Sequence, residues 1–139
     1  MRVGIASDHG GFALRGQITE SLQTSPYEIV DLGAFRWDPV DDYPDFIIPL
    51  ARAVAAGRID RGVARCGSGV GASIAANKIP GVRAGLIHDD MNIICLGGKA
   101  VGAALALELI ETFLAARCSG AARHRRRLAE VQALEHQEP

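Results

Sequence analysis

Aromatic residues are scarce in this sequence, and neither sign of charge dominates. Only 5% of the 139 residues are aromatic while 48% are hydrophobic, so a core must be built from Ala, Val, Ile and Leu. The formal net charge is -1 at pH 7. With positive and negative charges so evenly matched, the chain lacks the positive electrostatic field of nucleic-acid-binding proteins, and we expect no nucleic-acid partner.

Cysteines are few, and long apolar runs are missing. The three cysteines have no paired spacing, which argues against a disulfide framework and favours a reduced, intracellular chain. Met1-Arg2 leads directly into a strand pattern with no signal peptide, and no charge-free apolar run approaches 18 residues. We therefore expect a cytoplasmic protein without a membrane partner, forming one domain over residues 1–139.

Glycine, by contrast, is abundant, and three of the 16 glycines lie in the stretch Cys66-Gly67-Ser68-Gly69-Val70-Gly71. The apolar run 62–64 precedes this stretch and a small-residue helix pattern, 72–78, follows it. The order predicts a strand, a glycine loop and a helix, whose backbone N–H groups form a cradle for an oxyanion or phosphate. Cys66 stands beside those N–H groups, a position that favours a reactive thiolate and therefore catalysis.

The rest of the chain alternates between strand and helix patterns. The patterns predict strands at 3–6, 27–32, 62–64, 82–87 and 93–96, and helices at 12–22, 46–56, 72–78, 103–116 and 123–136. Such alternation indicates an α/β fold with a mostly parallel five-stranded sheet and helices on both faces. Loops after the first and third strands then meet at the carboxyl edge of the sheet, where ligands bind.

One junction does not fit a regular parallel sheet. Only His88-Asp89-Asp90-Met91-Asn92 separates the fourth and fifth predicted strands, and a parallel crossover needs about a dozen residues. Either the sheet is locally irregular here or a connecting helix is absent. A hairpin would make the fifth strand antiparallel.

Several motifs together resemble the ribose 5-phosphate isomerase B family, which includes the galactose 6-phosphate isomerase subunits. They are Ser7-Asp8-His9-Gly10-Gly11-Phe12, Asp42-Tyr43-Pro44, the Cys66–Gly71 loop with Ser73-Ile74-Ala75-Ala76-Asn77-Lys78, Asp90-Met91-Asn92 and Arg123-His124. The resemblance implies a Rossmann-like three-layer sandwich and a homodimer or dimer of dimers with shared active sites. It also implies an aldose–ketose isomerisation of the pentose phosphate pathway, without metal or other cofactor.

The resemblance also implies a role for individual residues. Cys66 matches the base that moves a proton between two sugar carbons, and the Ser68 hydroxyl with the N–H groups of Gly67, Gly69, Val70 and Gly71 matches the enediolate cradle. The implied substrate contacts are Asp8 and Tyr43 on the sugar, His9 on the phosphate side, Asn92, Lys99 where many members carry arginine, and a phosphate clamp of Arg123, His124 and Arg127.

The family usually has a helix between the fourth strand and the asparagine pattern, so a segment is missing here. His88 matches either the ring-opening histidine or its neighbour, and His9 is a second candidate for ring opening. The expected reaction is ribose 5-phosphate to ribulose 5-phosphate. The alternatives are a hexose 6-phosphate (galactose or allose) isomerase and a non-catalytic sugar-phosphate-binding partner subunit.

Two further expectations concern surfaces and metals. The helix pattern 103–116 is too apolar to face water on any side, so we expect it to pack partly against another subunit, which helix 123–136 also contacts. Asp38, Asp41 and Asp42 have no histidine nearby in the sequence, so we interpret them as loop residues and expect no metal site.

Overall fold

The computed structural model describes residues 1–136 and forms a five-stranded sheet flanked by helices. The strands are β1 (Arg2–Ser7), β2 (Glu28–Asp31), β3 (Arg61–Cys66), β4 (Ala84–Gly85) and β5 (Ile93–Gly97). The helices are α1 (His9–Gln23), α2 (Pro44–Ala55), α3 (Val70–Ala76), α4 (Ala103–Ala115) and α5 (Ala122–Ala133), and a 3-10 helix, Leu134–His136, follows α5.

The sheet has the order β2-β1-β3-β5-β4, and every neighbouring pair is parallel. The predicted α/β class is therefore confirmed, and the expectation of a mostly parallel sheet becomes an entirely parallel one. β3 lies at the centre, with Ala64 paired to Ala6 of β1 and to Cys95 of β5. Because all strands run the same way, the loops after β1, β3 and β5 emerge at one edge.

Two aliphatic cores cover the two faces of the sheet. On one face, Ala64 and Cys66 of β3 pack in a cluster with buried residues of α2 and α3. On the other, Val63 packs with Ile18 of α1 and Ile110 of α4. The alternation along β3 divides its side chains between these cores, so helices lie on both faces as right-handed crossovers require.

The edge strand β4 is much shorter than the predicted strand at 82–87. Only Ala84 and Gly85 pair with β5, and they do so in parallel across a connection of residues 86–92 that contains no helix. His88, Asp89 and Asp90 have positive φ angles of 76°, 52° and 48°. This left-handed backbone turns the chain back within a few residues, so the sheet is locally irregular and the fifth strand is not antiparallel.

Asparagine side chains hold this short edge strand in place. Asn77, at the end of α3, donates from Nδ2 to the Ala84 carbonyl at 2.7 Å and accepts the Ala84 N–H at 2.9 Å. Asn92 accepts the Arg83 N–H at 2.8 Å and donates to the Gly81 carbonyl at 2.8 Å. These side chains supply hydrogen bonds to backbone groups that, in a longer strand, would pair with the backbone of a neighbouring strand.

The last two helices expose apolar side chains. α4 buries one stripe that includes Ile110 and Phe113, while Leu105 on the same helix is 48% exposed. α5 buries no residue and exposes Val131. No helix within residues 1–136 combines the length and the apolar character that crossing a membrane requires.

Candidate active site

The loops that follow β1, β3 and β5 meet at one edge of the sheet. The Gly98 N–H donates to the Cys66 carbonyl at 2.8 Å, and the Lys99 N–H donates to the Gly67 carbonyl at 2.9 Å. The start of α1 lies so close to the same loop that a Cβ on Gly10 would be 2.6 Å from the Gly67 nitrogen. Glycine at this position therefore lets the three loops form a single surface.

Cys66 ends β3 and begins the glycine loop, as the sequence predicts. Its side chain is buried, and its Sγ accepts a hydrogen bond from the Gly69 N–H at 3.1 Å. Gly69 has a φ of 82°, the left-handed region that glycine occupies without strain, and this conformation allows the loop to turn back onto the sulfur. The Gly69 N–H therefore lies within hydrogen-bond distance of the sulfur that the sequence predicts to be catalytic.

The other residues of the loop remain available to a ligand. Ser68 is exposed, and its Oγ accepts the Val70 N–H at 3.2 Å. Tyr43, at the start of α2, lies against Gly71, where a Cβ would be 2.8 Å from the tyrosine Cζ. The structure therefore brings Tyr43 to the cradle, and the exposed Lys99 side chain runs beside Gly67.

Asp8 and His9 lie at the start of α1, next to the Cys66 loop. Asp8 is buried and caps the helix, because its Oδ1 accepts the Gly11 N–H at 3.2 Å. Both the backbone N–H and the Nδ1 of His9 bond to Oδ1 of Asp41, at 3.0 and 2.6 Å. The hydrogen bond that the His9 side chain makes to the Asp41 carboxylate raises the pKa of His9 above 6.5, and the negative charge of Asp8 adds to the effect.

Asp41 is a site residue that the sequence did not reveal. No histidine lies near the aspartates of residues 38–42 in the sequence, but the fold brings His9 to Asp41 across 32 residues of chain. Ligand atoms of Asp8, His9 and Asp41 lie within 4.8 Å of one another, a spacing compatible with a cation. Asp8 and Asp41 each already accept hydrogen bonds from within the fold, and a metal-free site remains our prediction.

His88 lines a different hollow from Ser68, Gly69 and Val70 of the glycine loop. A cavity of about 570 Å³ between the 86–91 loop, α4 and α5 is lined by His88, His124 and Arg127 and by apolar residues such as Phe113. Ser68, Gly69 and Val70 line a separate hollow of about 340 Å³. Within one chain, then, His88 lies with part of the predicted phosphate clamp, and Leu86 lines both hollows.

The clamp residues and Asn92 have neighbours of their own. His124 is hydrogen-bonded at Nδ1 to the Ser119 hydroxyl at 2.8 Å, and the exposed Arg123 donates to its Nε2 at 3.2 Å. Arg127 is exposed. Asn92 accepts the Arg83 N–H and donates to the Gly81 carbonyl through its side-chain amide, and a substrate contact by this residue stays a prediction.

The remaining cysteines differ from Cys66 in their surroundings. Burial in β5 raises the pKa of the Cys95 thiol to about 12, and the nearby Cys66 adds to the shift. Such a thiol stays protonated at neutral pH and packs as a small apolar side chain. Cys118 is exposed on the segment between α4 and α5. Cys66 is therefore the cysteine that the described chain places at the glycine loop.

Comparison with known proteins gives consistent matches along the whole chain. A family model described as Ribose/Galactose Isomerase matches residues 3–131. Ribose-5-phosphate isomerase B of Mycolicibacterium paratuberculosis is 39% identical over 153 residues, which cover 100% of this chain and 96% of the relative. Because that alignment is longer than the 139-residue chain, part of the relative faces a gap.

Solved structures give the same result. Ribose-5-phosphate isomerase B of Clostridium thermocellum matches with a TM-score of 0.92 and 41% identity, covering 98% of each chain. The same enzyme of Mycoplasma genitalium, solved with bound ribulose-5-phosphate, matches with a TM-score of 0.92 and 36% identity, covering 99% of this chain and 97% of that one. The folds therefore agree over nearly their whole lengths.

Proposed function

This chain belongs to the ribose/galactose isomerase family and is an aldose–ketose isomerase of sugar phosphates, and we propose that it interconverts ribose 5-phosphate and ribulose 5-phosphate. The ribose-5-phosphate isomerases B among its relatives support this substrate, as does the relative solved with bound ribulose-5-phosphate. The observation that carries the chemical proposal is the Cys66 sulfur at the head of the glycine loop, in contact with the Gly69 N–H.

In the proposed reaction, Cys66 moves a proton between C1 and C2 of the open-chain sugar. As a thiolate, it removes the proton from C2 of the aldehyde and returns it to C1 of the enediolate. The negative charge that develops on the sugar oxygens is stabilised by N–H groups of the loop and by the Ser68 hydroxyl.

Replacement of Cys66 tests the assignment directly. We expect Cys66→Ala to lower kcat for ribose 5-phosphate by about 10²–10⁴-fold, the usual contribution of a proton-transferring side chain. The variant should still bind a sugar-phosphate analogue, because the glycine loop remains. Cys118→Ala, an exposed thiol outside the cradle, is the matched control and should retain activity. Normal turnover by Cys66→Ala would contradict the assignment.

The same assay separates the alternative functions. Galactose 6-phosphate and allose 6-phosphate are offered beside ribose 5-phosphate at equal concentrations. Faster turnover of a hexose phosphate would favour a hexose 6-phosphate isomerase. Binding without turnover of any of the three would favour a non-catalytic partner subunit.

We further propose a homodimer, or a dimer of dimers, in which Arg123, His124 and Arg127 of one subunit clamp the phosphate bound at the cysteine loop of the other. Two observations support it: α5 buries no residue within its own chain, and His124 and Arg127 line a different hollow from the cysteine loop. A guanidinium pair one helical turn apart suits a phosphate.

Mixing of two inactive variants tests the shared site. Cys66→Ala and Arg127→Ala subunits, unfolded and refolded together, should recover roughly a quarter of the wild-type activity, because half of the dimers then contain one intact site. Recovery near zero would indicate that each chain holds a complete site. Light scattering of the wild type distinguishes a dimer from a tetramer, and a monodisperse monomer would exclude both.

We also propose that the enzyme works in the cytoplasm. Its three cysteines are free, and a catalytic thiol is kept reduced in that compartment. Fractionation of cells that express the untagged chain, followed by detection with an antibody, tests this location.

A further inference from the structure

We propose that Asp41 is a positioning residue of this site, which holds the His9 ring with a positive charge towards the phosphate group of the substrate. The inference rests on the proposed isomerase function, and it keeps for His9 the contact on the phosphate side that the family resemblance implies. That resemblance assigns no role to Asp41. With this role, Asp41 determines how tightly the substrate binds and leaves the chemical step to other residues.

One carboxylate oxygen holds both the backbone and the ring of His9. Oδ1 of Asp41 accepts hydrogen bonds from the backbone N–H of His9 at 3.0 Å and from its Nδ1 at 2.6 Å. The Asp41 side chain is only 10% exposed, against 39% for His9, and its Oδ2 has no hydrogen-bond partner within residues 1–136. The His9 ring is therefore the group that balances this carboxylate. Because Nδ1 carries a proton towards Asp41, Nε2 is the nitrogen left to contact a ligand.

The pair borders the glycine loop. His9 begins α1, and a Cβ on the adjacent Gly10 would be 2.6 Å from the nitrogen of Gly67. Tyr43, two residues after Asp41, also lies against the glycine loop. The segment that carries Asp41 and the start of α1 therefore both contact the loop at which we propose that the sugar phosphate binds.

The surroundings of His9 favour its positively charged form. The hydrogen bond to Asp41 is the main cause that raises the pKa of His9 above 6.5, loss of contact with water opposes the increase, and the negative charge of Asp8 adds to it. The positive groups on the elements packed against the start of α1 are Lys99, which follows β5, and Arg65 of β3. An imidazolium donates a charge-assisted hydrogen bond from Nε2 to a phosphate oxygen, which is roughly twice as strong as a bond between neutral groups.

Substrate affinity should therefore depend on pH through His9. As the pH rises through the pKa of His9, the ring loses its positive charge and the KM for ribose 5-phosphate should increase. Asp41→Asn removes the main cause of the raised pKa, so this increase in KM should begin at a lower pH. The comparison is made above about pH 6.5, because the second pKa of a phosphate monoester is about 6 and the substrate is then mostly a dianion.

Steady-state kinetics of the full chain separate affinity from chemistry. At about pH 7.5, Asp41→Asn should raise the KM for ribose 5-phosphate roughly ten-fold and leave kcat unchanged. Asp38→Asn is the control in the same loop and should match the wild type, because asparagine can still accept the Val40 N–H that Asp38 accepts. An unchanged KM for Asp41→Asn would overturn the inference. A lower KM would also overturn it, since the carboxylate would then only repel the phosphate.

NMR of the imidazole ring tests the same contact without turnover, with the His9 signal assigned by its loss in His9→Gln. In the wild type, inorganic phosphate should raise the pKa of His9 further, and Asp41→Asn should lower that pKa and weaken the response.

The outcomes separate this inference from the proposed function. Equal titration of His9 in the wild type and in Asp41→Asn would overturn the role of Asp41 even where the enzyme isomerises ribose 5-phosphate. If the chain does not isomerise the sugar but His9 responds to phosphate in an Asp41-dependent way, the isomerase proposal fails and the role of Asp41 stands. Circular dichroism checks that each variant folds. Should Asp41→Asn not fold, the wild-type titration decides, because a His9 pKa that phosphate leaves unchanged would overturn the inference.

Discussion

Arg65 offers the sharpest prediction about the stability of this fold. The Arg65 side chain lies on β3 under α1, so close to the helix that a Cβ on Gly11 would be 2.7 Å from the Cβ of Arg65. It has no exposed surface, and none of its three guanidinium nitrogens has a hydrogen-bond partner within residues 1–136. Burial, followed by the positive charge of Arg15, lowers the pKa of Arg65 to about 10, and the negative charge of Asp31 opposes the shift.

This pKa shift converts into a cost of folding. At about 1.4 kcal/mol per pH unit, a guanidinium kept charged in this place costs the folded state on the order of 3 kcal/mol. The sign follows from the direction: the unfolded chain holds the proton more tightly, so the cost is complete below about pH 10 and declines only as the pH rises above that value. At pH 7 the whole cost applies.

Arg65→Met should therefore stabilise the protein. Methionine keeps the apolar stem and removes the charge, and we expect a gain of about 1–3 kcal/mol in the free energy of unfolding, or a rise in Tm of roughly 4 °C per kcal/mol. Thermal and urea unfolding, followed by circular dichroism at pH 7 and one protein concentration, measure it. Arg61→Met is the control on the same strand and should destabilise, because Arg61 donates to the carbonyls of Phe113 and Ala116. A Tm for Arg65→Met below that of the wild type would contradict the conclusion that the buried charge of Arg65 destabilises the fold.

Two further predictions concern the loop and the edge strand. Gly69→Ala should destabilise the fold by about 1 kcal/mol or more, because φ at this position is 82° and the new Cβ would lie 3.0 Å from the Leu96 carbonyl carbon. Gly16→Ala, at an exposed position of α1, should stabilise the fold by up to about 1 kcal/mol. Urea unfolding compares the two variants, and equal effects would contradict the argument from backbone conformation. Asn77→Ala should free β4 and speed hydrogen exchange of the Ala84 amide by roughly ten-fold or more, while unchanged exchange would show that the side chain does not hold the strand.

The sequence predicted the elements whose patterns are local. Strand and helix periodicities located every helix and strand to within a few residues, except at the fourth strand, and the carboxyl-edge rule correctly placed the Asp8 and Cys66 loops side by side. The third strand was predicted from the apolar run 62–64 that leads to Cys66, and it extends from Arg61 through Cys66. The buried Arg65 interrupts the apolar pattern there, and tertiary packing overrides that local signal.

What the sequence could not predict depends on contacts between distant segments. Asp41 looked like a loop residue because nothing nearby in the chain marks its contact with His9. The hydrogen bonds by which the Asn92 amide holds the backbone of residues 81 and 83 also have no signal in the sequence, because they depend on the short connection between β4 and β5. The left-handed turn at His88 likewise follows from the missing segment and has no periodic signature.

The decisive experiment for proton transfer by Cys66 is isomerisation of ribose 5-phosphate in D₂O. NMR follows the reaction for the wild type and for Cys66→Ala. We expect the wild type to form ribulose 5-phosphate and to introduce deuterium at C1 of the ketose, because the proton carried by the thiol exchanges with solvent. We expect Cys66→Ala to form neither the ketose nor its deuterated form above the uncatalysed rate. Formation of the ketose by Cys66→Ala at the wild-type rate would contradict the claim that this thiol carries the proton.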